Sequence, residues 1–136
     1  MAAHVDVDAT ALFHNTMPFT AELGIEALHS GKEEVSARLG WAENLCTLGG
    51  VMHGGVLMSL ADSAAAVCAY LNLPDGAQGT TTIESKTNFL RTIKSGSATA
   101  VSSPLHVGRR VIVVETEIRD DERRLVAKVT QTQGVL

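Results

Sequence analysis

Aromatic side chains are scarce in this sequence, with three Phe, one Trp and one Tyr among 136 residues. A chain of this length can bury a real core, and 45% of it is apolar, so the filling must come from Val, Leu, Ile and Ala. Cysteine is nearly missing as well. Cys46 and Cys68 stand 22 positions apart, which matches neither a redox pair nor a metal site, and two reduced thiols are expected. There is no run of Lys or Arg. Fifteen acidic residues against 11 basic ones leave a net charge of −4, which argues against a dedicated nucleic-acid binder. The first ten residues include His4, Asp6 and Asp8 and do not read as a targeting signal. The longest unbroken apolar run, 64–71, is far short of a bilayer span. These absences together point to a cytoplasmic chain with no membrane and no nucleic-acid partner.

What is present has a clear order. Residues 8–16 suit a short helix closed off by the proline of "TMPFTAELG". In "LGIEALHSGKEEVSARLGWA", Val35, Ala37, Leu39 and Trp41 alternate with Ser36, Arg38 and Gly40, and "HSGK" supplies a turn, so a hairpin is expected. Residues 53–72 carry the only long helical pattern, ended by "NLPDG". The period then switches to two over 80–93, 96–107, 109–120 and 124–136, with turns at "KSG", "HVGR" and "DDER". Connections this short favour antiparallel pairing. The expected class is α+β, one long helix facing one antiparallel sheet, as a single domain over 1–136 with 1–18 as an extension or short helix. The helix is apolar nearly all round. Val56, Leu60, Ala64, Val67 and Leu71 form a stripe suited to the sheet, and Gly55, Ser59, Asp62 and Ala66 form a second, small stripe that holds one charge.

Chemistry concentrates in "GGVMHGGVLMSLADSAAAVCAY", residues 49–70. Gly49, Gly50, Gly54 and Gly55 bracket the start of the helix. They fit plain turn geometry. They equally fit a site where a ligand approaches free amide N–H groups at the positive end of a helix, which suits a carbonyl oxygen gaining negative charge. Neither a P-loop lysine nor a dinucleotide fingerprint accompanies them. A lone mid-helix aspartate ordinarily faces water, but small and apolar neighbours round Asp62 are not those of a solvated face. Gly54 and Asp62 are eight residues apart, about 12 Å along one helix. A base and an oxyanion donor must both lie about 3 Å from one reacting centre, so one helix cannot supply both. Two copies packed helix against helix near Met58 would bring Gly54 of one beside Asp62 of the other.

The segment "GGVMHGGVLMSLADSA", followed by "TNFLRTIKSG", "HVGRRVIVVETEI" and "RLVAKVTQT", resembles the hotdog-fold acyl-CoA thioesterases, in particular the PaaI-type branch of the 4-hydroxybenzoyl-CoA thioesterase superfamily. The resemblance covers about residues 20–135. It implies a hotdog fold, in which one long central helix is wrapped by a curved antiparallel sheet of five to six strands. It also implies a homodimer or homotetramer, no cofactor beyond the coenzyme A of the substrate, and no metal. Asp62 would be the catalytic carboxylate, Gly54 the amide donor to the thioester carbonyl, with His53 and Gly55 beside it at the helix start. Thr82 matches a Ser/Thr position that holds the water or the carboxylate. The family commonly has Asn or Gln six residues before the His; Thr47 stands there, with Asn44 three residues earlier. Either Thr47 does that work or the loop brings Asn44 in.

Arg91, Lys94, Arg109 and Arg110 fall at strand ends or turns, where charge is ordinarily solvated. The resemblance suggests that some of them meet the phosphates of coenzyme A, as a basic cluster on an acidic protein. His4, His14, His29 and His106 have no ligand spacing. Cys68 belongs to the core of the helix, and Cys46 shows no base partner. The leading expectation is therefore hydrolysis of an acyl-CoA thioester, with Asp62 as general base or nucleophile. A non-catalytic acyl-CoA-binding module is the alternative. An enoyl-CoA hydratase is less favoured, because no His follows Asp62 on the helix.

Overall fold

The computed structural model describes residues 4–136. Helix α1 (Val7–Thr16) begins where the Asp6 side chain accepts the Ala9 N–H at 2.9 Å. The first helix ends at Thr16, ahead of the proline as expected, and the proline also opens a second helix. Pro18 takes the first position of α2 (Pro18–Leu23), where a missing N–H costs no bond. Gly24, at φ 74°, closes α2 in a conformation that favours glycine.

Strands β1 (Glu26–Ser30) and β2 (Val35–Gly40) form the expected hairpin. Val35, Ala37 and Leu39 are fully buried, while Trp41 beyond the strand is only half-buried. After a loop come helix α3 (Gly54–Leu71) and strands β3 (Thr80–Phe89), β4 (Ser97–Val107), β5 (Val111–Arg119) and β6 (Leu125–Val135). The six strands make one antiparallel sheet in the order β1-β2-β4-β5-β6-β3. The class is α+β, with α3 packed across the sheet from β2 to the edge strand β3. β5 shows why period two was legible: Ile112, Val114, Thr116 and Ile118 are buried, and the residues between them are half-exposed.

Two expectations need correction. The connection over 90–96 does not join neighbouring strands, because β3 pairs only with β6 and β4 lies between β2 and β5. Crossing the end of the sheet from β3 to β4 spans three strand spacings, roughly 15 Å, well within reach of seven residues. Buried Ile93 and a bond from Met52 N–H to Ile93 O (2.8 Å) hold the crossing in place. The buried stripe of α3 is also rotated from the one expected. Leu57, Leu60, Ala61, Ala64, Ala65 and Cys68 face the sheet, whereas Val56, Val67 and Leu71 are half-buried. Small side chains on that face bring the helix backbone close to the strands. By length and composition α3 would also suffice to cross a membrane, yet its eight buried residues are packed as in the core helix of a folded domain.

Candidate active site

Asp62 lies on the open flank of α3, in line with Gly55, Ser59 and Ala66, each exposed or half-buried. Its Oδ1 accepts two hydrogen bonds, from Thr82 Oγ1 at 2.9 Å and from Gln131 Nε2 at 2.7 Å. Thr82 Oγ1 in turn accepts from Gln133 Nε2 at 2.8 Å, and Thr80 Oγ1 donates to Gln133 Oε1 at 3.0 Å. A shallow pocket of about 220 Å³ opens over this group, lined by Met58, Ser59, Asp62, Thr82 and Ser85. Two larger hollows lie elsewhere, near the chain end and at the β5–β6 turn, and contain none of these residues.

A backbone irregularity assembles the strand side of the pocket. Thr82 pairs with Gln133 and Ser85 with Gln131, and the register shifts between Thr82 and Glu84. Residues three apart on a regular strand face opposite ways. The bulge at Ile83 puts Thr82 and Ser85 on the same face, the face that meets the helix. Ile83 turns outward and packs over Gly134, where a Cβ would lie 3.3 Å from the Ile83 side chain.

At the start of α3 the glycines divide into separate roles. Gly49 and Gly50 have φ of 80° and 72°, so they serve the loop geometry. A Cβ on Gly55 would come within 2.9 Å of His53 Nδ1, which caps the helix by accepting the Gly55 N–H at 2.8 Å. That bond makes Nδ1 an acceptor and leaves Nε2 facing away from the helix start. Gly54 is the first residue of the helix, covered on its Cα side by the Phe89 ring. Its N–H donates to no group among the described residues, so the helix does present one free amide, that of Gly54.

Thr47 and Asn44 are both exposed, and neither side chain makes a hydrogen bond among the described residues. Their loop is pinned instead by its backbone, through a Cys46–Met52 bridge and the bond from Trp41 Nε1 to Gly50 O at 3.0 Å. One chain thus gathers Asp62 with Thr82, and leaves His53, Gly54, Thr47 and Asn44 together at the other end of the first helical turns. Nor do the four cations form a cluster. Arg91 and Lys94 follow the Phe89 end of β3, while Arg109 and Arg110 lie at the Thr80 end, where Val135 N–H donates to Arg110 O at 2.9 Å. Ten strand residues put about 30 Å between the two pairs. Lys94 moreover lines a hollow shared with Asp120, Asp121 and Glu122, a poor setting for an anion.

Cys68 is fully buried among alanines, and that burial pushes its thiol up to about 11. It is an inert core residue. Cys46 donates to Ala42 O at 3.3 Å and stands next to no base. Among the described residues, no three His, Cys, Asp or Glu side chains gather as a metal site would require. Gln131 and Gln133 were not found from the sequence, although a signal existed. On β6 they continue the buried alternation of Ala127 and Val129, so two amides occupy positions where aliphatic residues belong.

Known proteins share this arrangement over most of the chain. Residues 49–127 match the thioesterase superfamily. A provisionally named esterase of Mycobacterium tuberculosis is 34% identical over 123 residues, covering 89% of this chain and 88% of that protein. Its solved structure has a TM-score of 0.85 at 32% identity, covering 88% of this chain and 97% of that one. The 1,4-dihydroxy-2-naphthoyl-CoA hydrolase of Escherichia coli is 34% identical over 87 residues, 64% of this chain and 63% of that enzyme. The Escherichia coli PaaI protein shares the fold, with a TM-score of 0.83 at 22% identity over 94% of this chain and 90% of that one. With one long helix laid on a six-stranded antiparallel sheet and a match that spans the helix start, Asp62 and the strands beyond, this chain belongs to the hotdog-fold thioesterase superfamily.

Proposed function

We propose that this protein hydrolyses an acyl-CoA thioester to the free acid and coenzyme A, at a site shared between two copies of the chain. The observation that carries the reading is Asp62 itself. It is a carboxylate on an otherwise apolar helix, held by two donors on one oxygen and open to a pocket on the other side. Asp62 is exposed, yet its neighbours along that flank are small or apolar, and both donors fix one of its oxygens. Asp62 acts as general base on a water, or as the nucleophile toward the carbonyl. The oxyanion forming on the thioester is met by the free Gly54 N–H at a helix N-terminus, with His53 and Gly55 shaping that end and Thr47 or Asn44 facing the same space. The acyl-CoA class is supported by the hydrolase relative, whose name specifies a CoA thioester. Hydrolysis of this kind asks for no cofactor, and the chain would work in the cytoplasm.

The second copy follows from distance and from an uncovered surface. About 12 Å of helix separates Gly54 from Asp62 within one chain. Met58, one turn before Asp62, is 36% exposed, the apolar Ile83, Phe89 and Leu90 on or just past β3 are 61%, 49% and 56% exposed, and β3 lies at the edge of the sheet among the described residues. A copy docked there covers that surface and brings its own Gly54 to Asp62. Because the cation pairs are about 30 Å apart on one chain, coenzyme A phosphates would be met by Arg91 or Lys94 of one copy or by Arg109 and Arg110 of another.

Mixing two inactive variants tests this. Asp62→Asn keeps the shape and removes the base, so kcat for thiol release is expected to fall by roughly 10²–10⁴-fold with acyl-CoA binding retained. Gly54→Pro removes the amide at a position where proline suits a helix, and the exposed Phe89 ring can turn aside for it. After subunit exchange, half of the dimers are mixed and each mixed dimer has one intact site, so about a quarter of wild-type activity is expected. Near-wild-type kcat in Asp62→Asn would sink the mechanism. Mixtures that stay dead despite proven exchange would sink the shared site.

A further inference from the structure

We propose that Gln131 and Gln133 are positioning residues for Asp62, holding Oδ1 so that Oδ2 is the oxygen that meets water or thioester; the inference rests on the thioesterase reading above. Hydrogen-bond direction carries it. Gln131 must present its NH₂ to Asp62 at 2.7 Å, because its carbonyl would oppose the carboxylate there. Thr82 accepts from Gln133 Nε2 at 2.8 Å, which leaves its single hydroxyl proton for Asp62 Oδ1 at 2.9 Å. The Gln133 amide is oriented in turn by Thr80, whose hydroxyl donates to Oε1 at 3.0 Å. The bonds therefore run one way, from Thr80 through Gln133 and Thr82 to Asp62, and Gln131 adds a direct donor. Both converge on Oδ1, and no side chain among the described residues bonds Oδ2.

Burial makes the case that this arrangement is not incidental packing. Gln131 and Gln133 are both 0% exposed, on a strand face otherwise made by Ala127 and Val129. Gln131 Oε1 has no partner, and neither does Ser85 Oγ on the residue paired with it. An aliphatic side chain at position 131 would leave no orphaned carbonyl and would pack more stably. The glutamine is explained by what its NH₂ does to Asp62. Asp62 is also the sole titratable residue lining the pocket. The nearest charged side chains of β3, Glu84 and Lys86, bond Thr132 and Asn88 on the opposite face.

The test is Gln131→Met, near in volume and unable to donate, made in the full chain and assayed with the acyl-CoA that wild type hydrolyses best. Plateau kcat is expected to fall roughly 10- to 100-fold, the loss of one hydrogen bond to a charged group, with KM unchanged. The loss is expected in kcat alone, whereas a packing role would show as a lower Tm with turnover per folded molecule unchanged. Tm should stay level or rise. Gln133→Met should lower kcat less, and should add nothing in a Thr82→Val background, since it acts through that hydroxyl. Unchanged kcat in Gln131→Met, or a kcat loss that only tracks a lower Tm, would overturn the proposal. So would Gln133→Met losses that add in full to those of Thr82→Val. Full activity in Asp62→Asn would instead overturn the thioesterase mechanism itself, which keeps the two failures apart.

Discussion

Two polar groups lie on the helix-facing side of the same sheet, and they are built on opposite plans. Ser102 and Thr116 are cross-strand partners on β4 and β5, both 0% exposed, and their hydroxyls bond each other at 2.7 Å. That pair is closed, with donor and acceptor matched and the aliphatic core of β4, β5 and α3 around it. The group on β3 and β6 is open. Its donors all point toward Asp62, its carboxylate reaches a pocket, and it leaves Gln131 Oε1 and Ser85 Oγ without partners. A fold that satisfies its buried polar atoms in one place and not in another gives up stability at the second, as expected of the site proposed above.

The sharpest way to separate the two regions is to damage the closed one. Ile118 is fully buried on β5, opposite Ala127 on β6 and at the far end of the strands from Gln133 and Thr82. Ile118→Ala is expected to cost about 2–5 kcal/mol of folding stability through lost contacts and a cavity. Turnover per folded molecule should be unchanged. Denaturant titration paired with active-site-normalised kcat checks both, and a kcat loss matching that of the site variants would show that the regions are not separable.

Much of this division was legible beforehand, and the limits of legibility are physical. Period-two alternation exposes which face of β5 or β6 is buried, because each strand repeats its face every second residue. It says nothing about which strand lies alongside, so the crossing over 90–96 looked like one more hairpin turn until β6 was seen between β3 and β5. Asp62 stood out because its neighbours were wrong for a solvated face. Of its partners, Thr82 was reached only through the family resemblance, since a bulge at Ile83 reverses the alternation that would assign Thr82 and Ser85 to faces. α3 is apolar on nearly every side, so its pattern could not tell which stripe meets the sheet; the buried one runs through Leu57, Ala61 and Cys68. Gln131 and Gln133 were readable as misplaced polar residues in a buried alternation, which makes interruption of a pattern as informative as the pattern.

Cys68 gives a pH-dependent view of the closed region. Burial raises its thiol from 9.0 in the unfolded chain to about 11 in the fold. The folded pKa lies above the unfolded one, so this contribution is fully present below pH 9 and is lost as pH rises from 9 toward 11. Two pKa steps correspond to roughly 2–3 kcal/mol. Wild type should lose stability over that window relative to Cys68→Ala, with no such divergence at lower pH. Native protein should also react with a thiol reagent at half-buried Cys46 and not at Cys68. Parallel stability curves up to pH 11, or ready labelling of Cys68, would mean that this part of the core admits water.

The smallest expected effect is the most telling about the two plans. Thr116→Val alone strands the Ser102 hydroxyl in the core, and should cost about 1–3 kcal/mol. Adding Ser102→Ala removes the stranded group, and the double variant should return to within about 1 kcal/mol of wild type, because matched polar partners can be replaced together at little net cost. Neither variant should alter kcat or its pH profile. The corresponding double change at the open group, Thr82→Val with Gln131→Met, removes both donors to Asp62 Oδ1 and has no such recovery in activity, since the carboxylate they orient is still needed. A closed pair is defined by its own members, so deleting both ends the matter. An open one is defined by the third group it serves, and a Ser102/Thr116 double variant that lost turnover would show that this pair, too, serves something beyond itself.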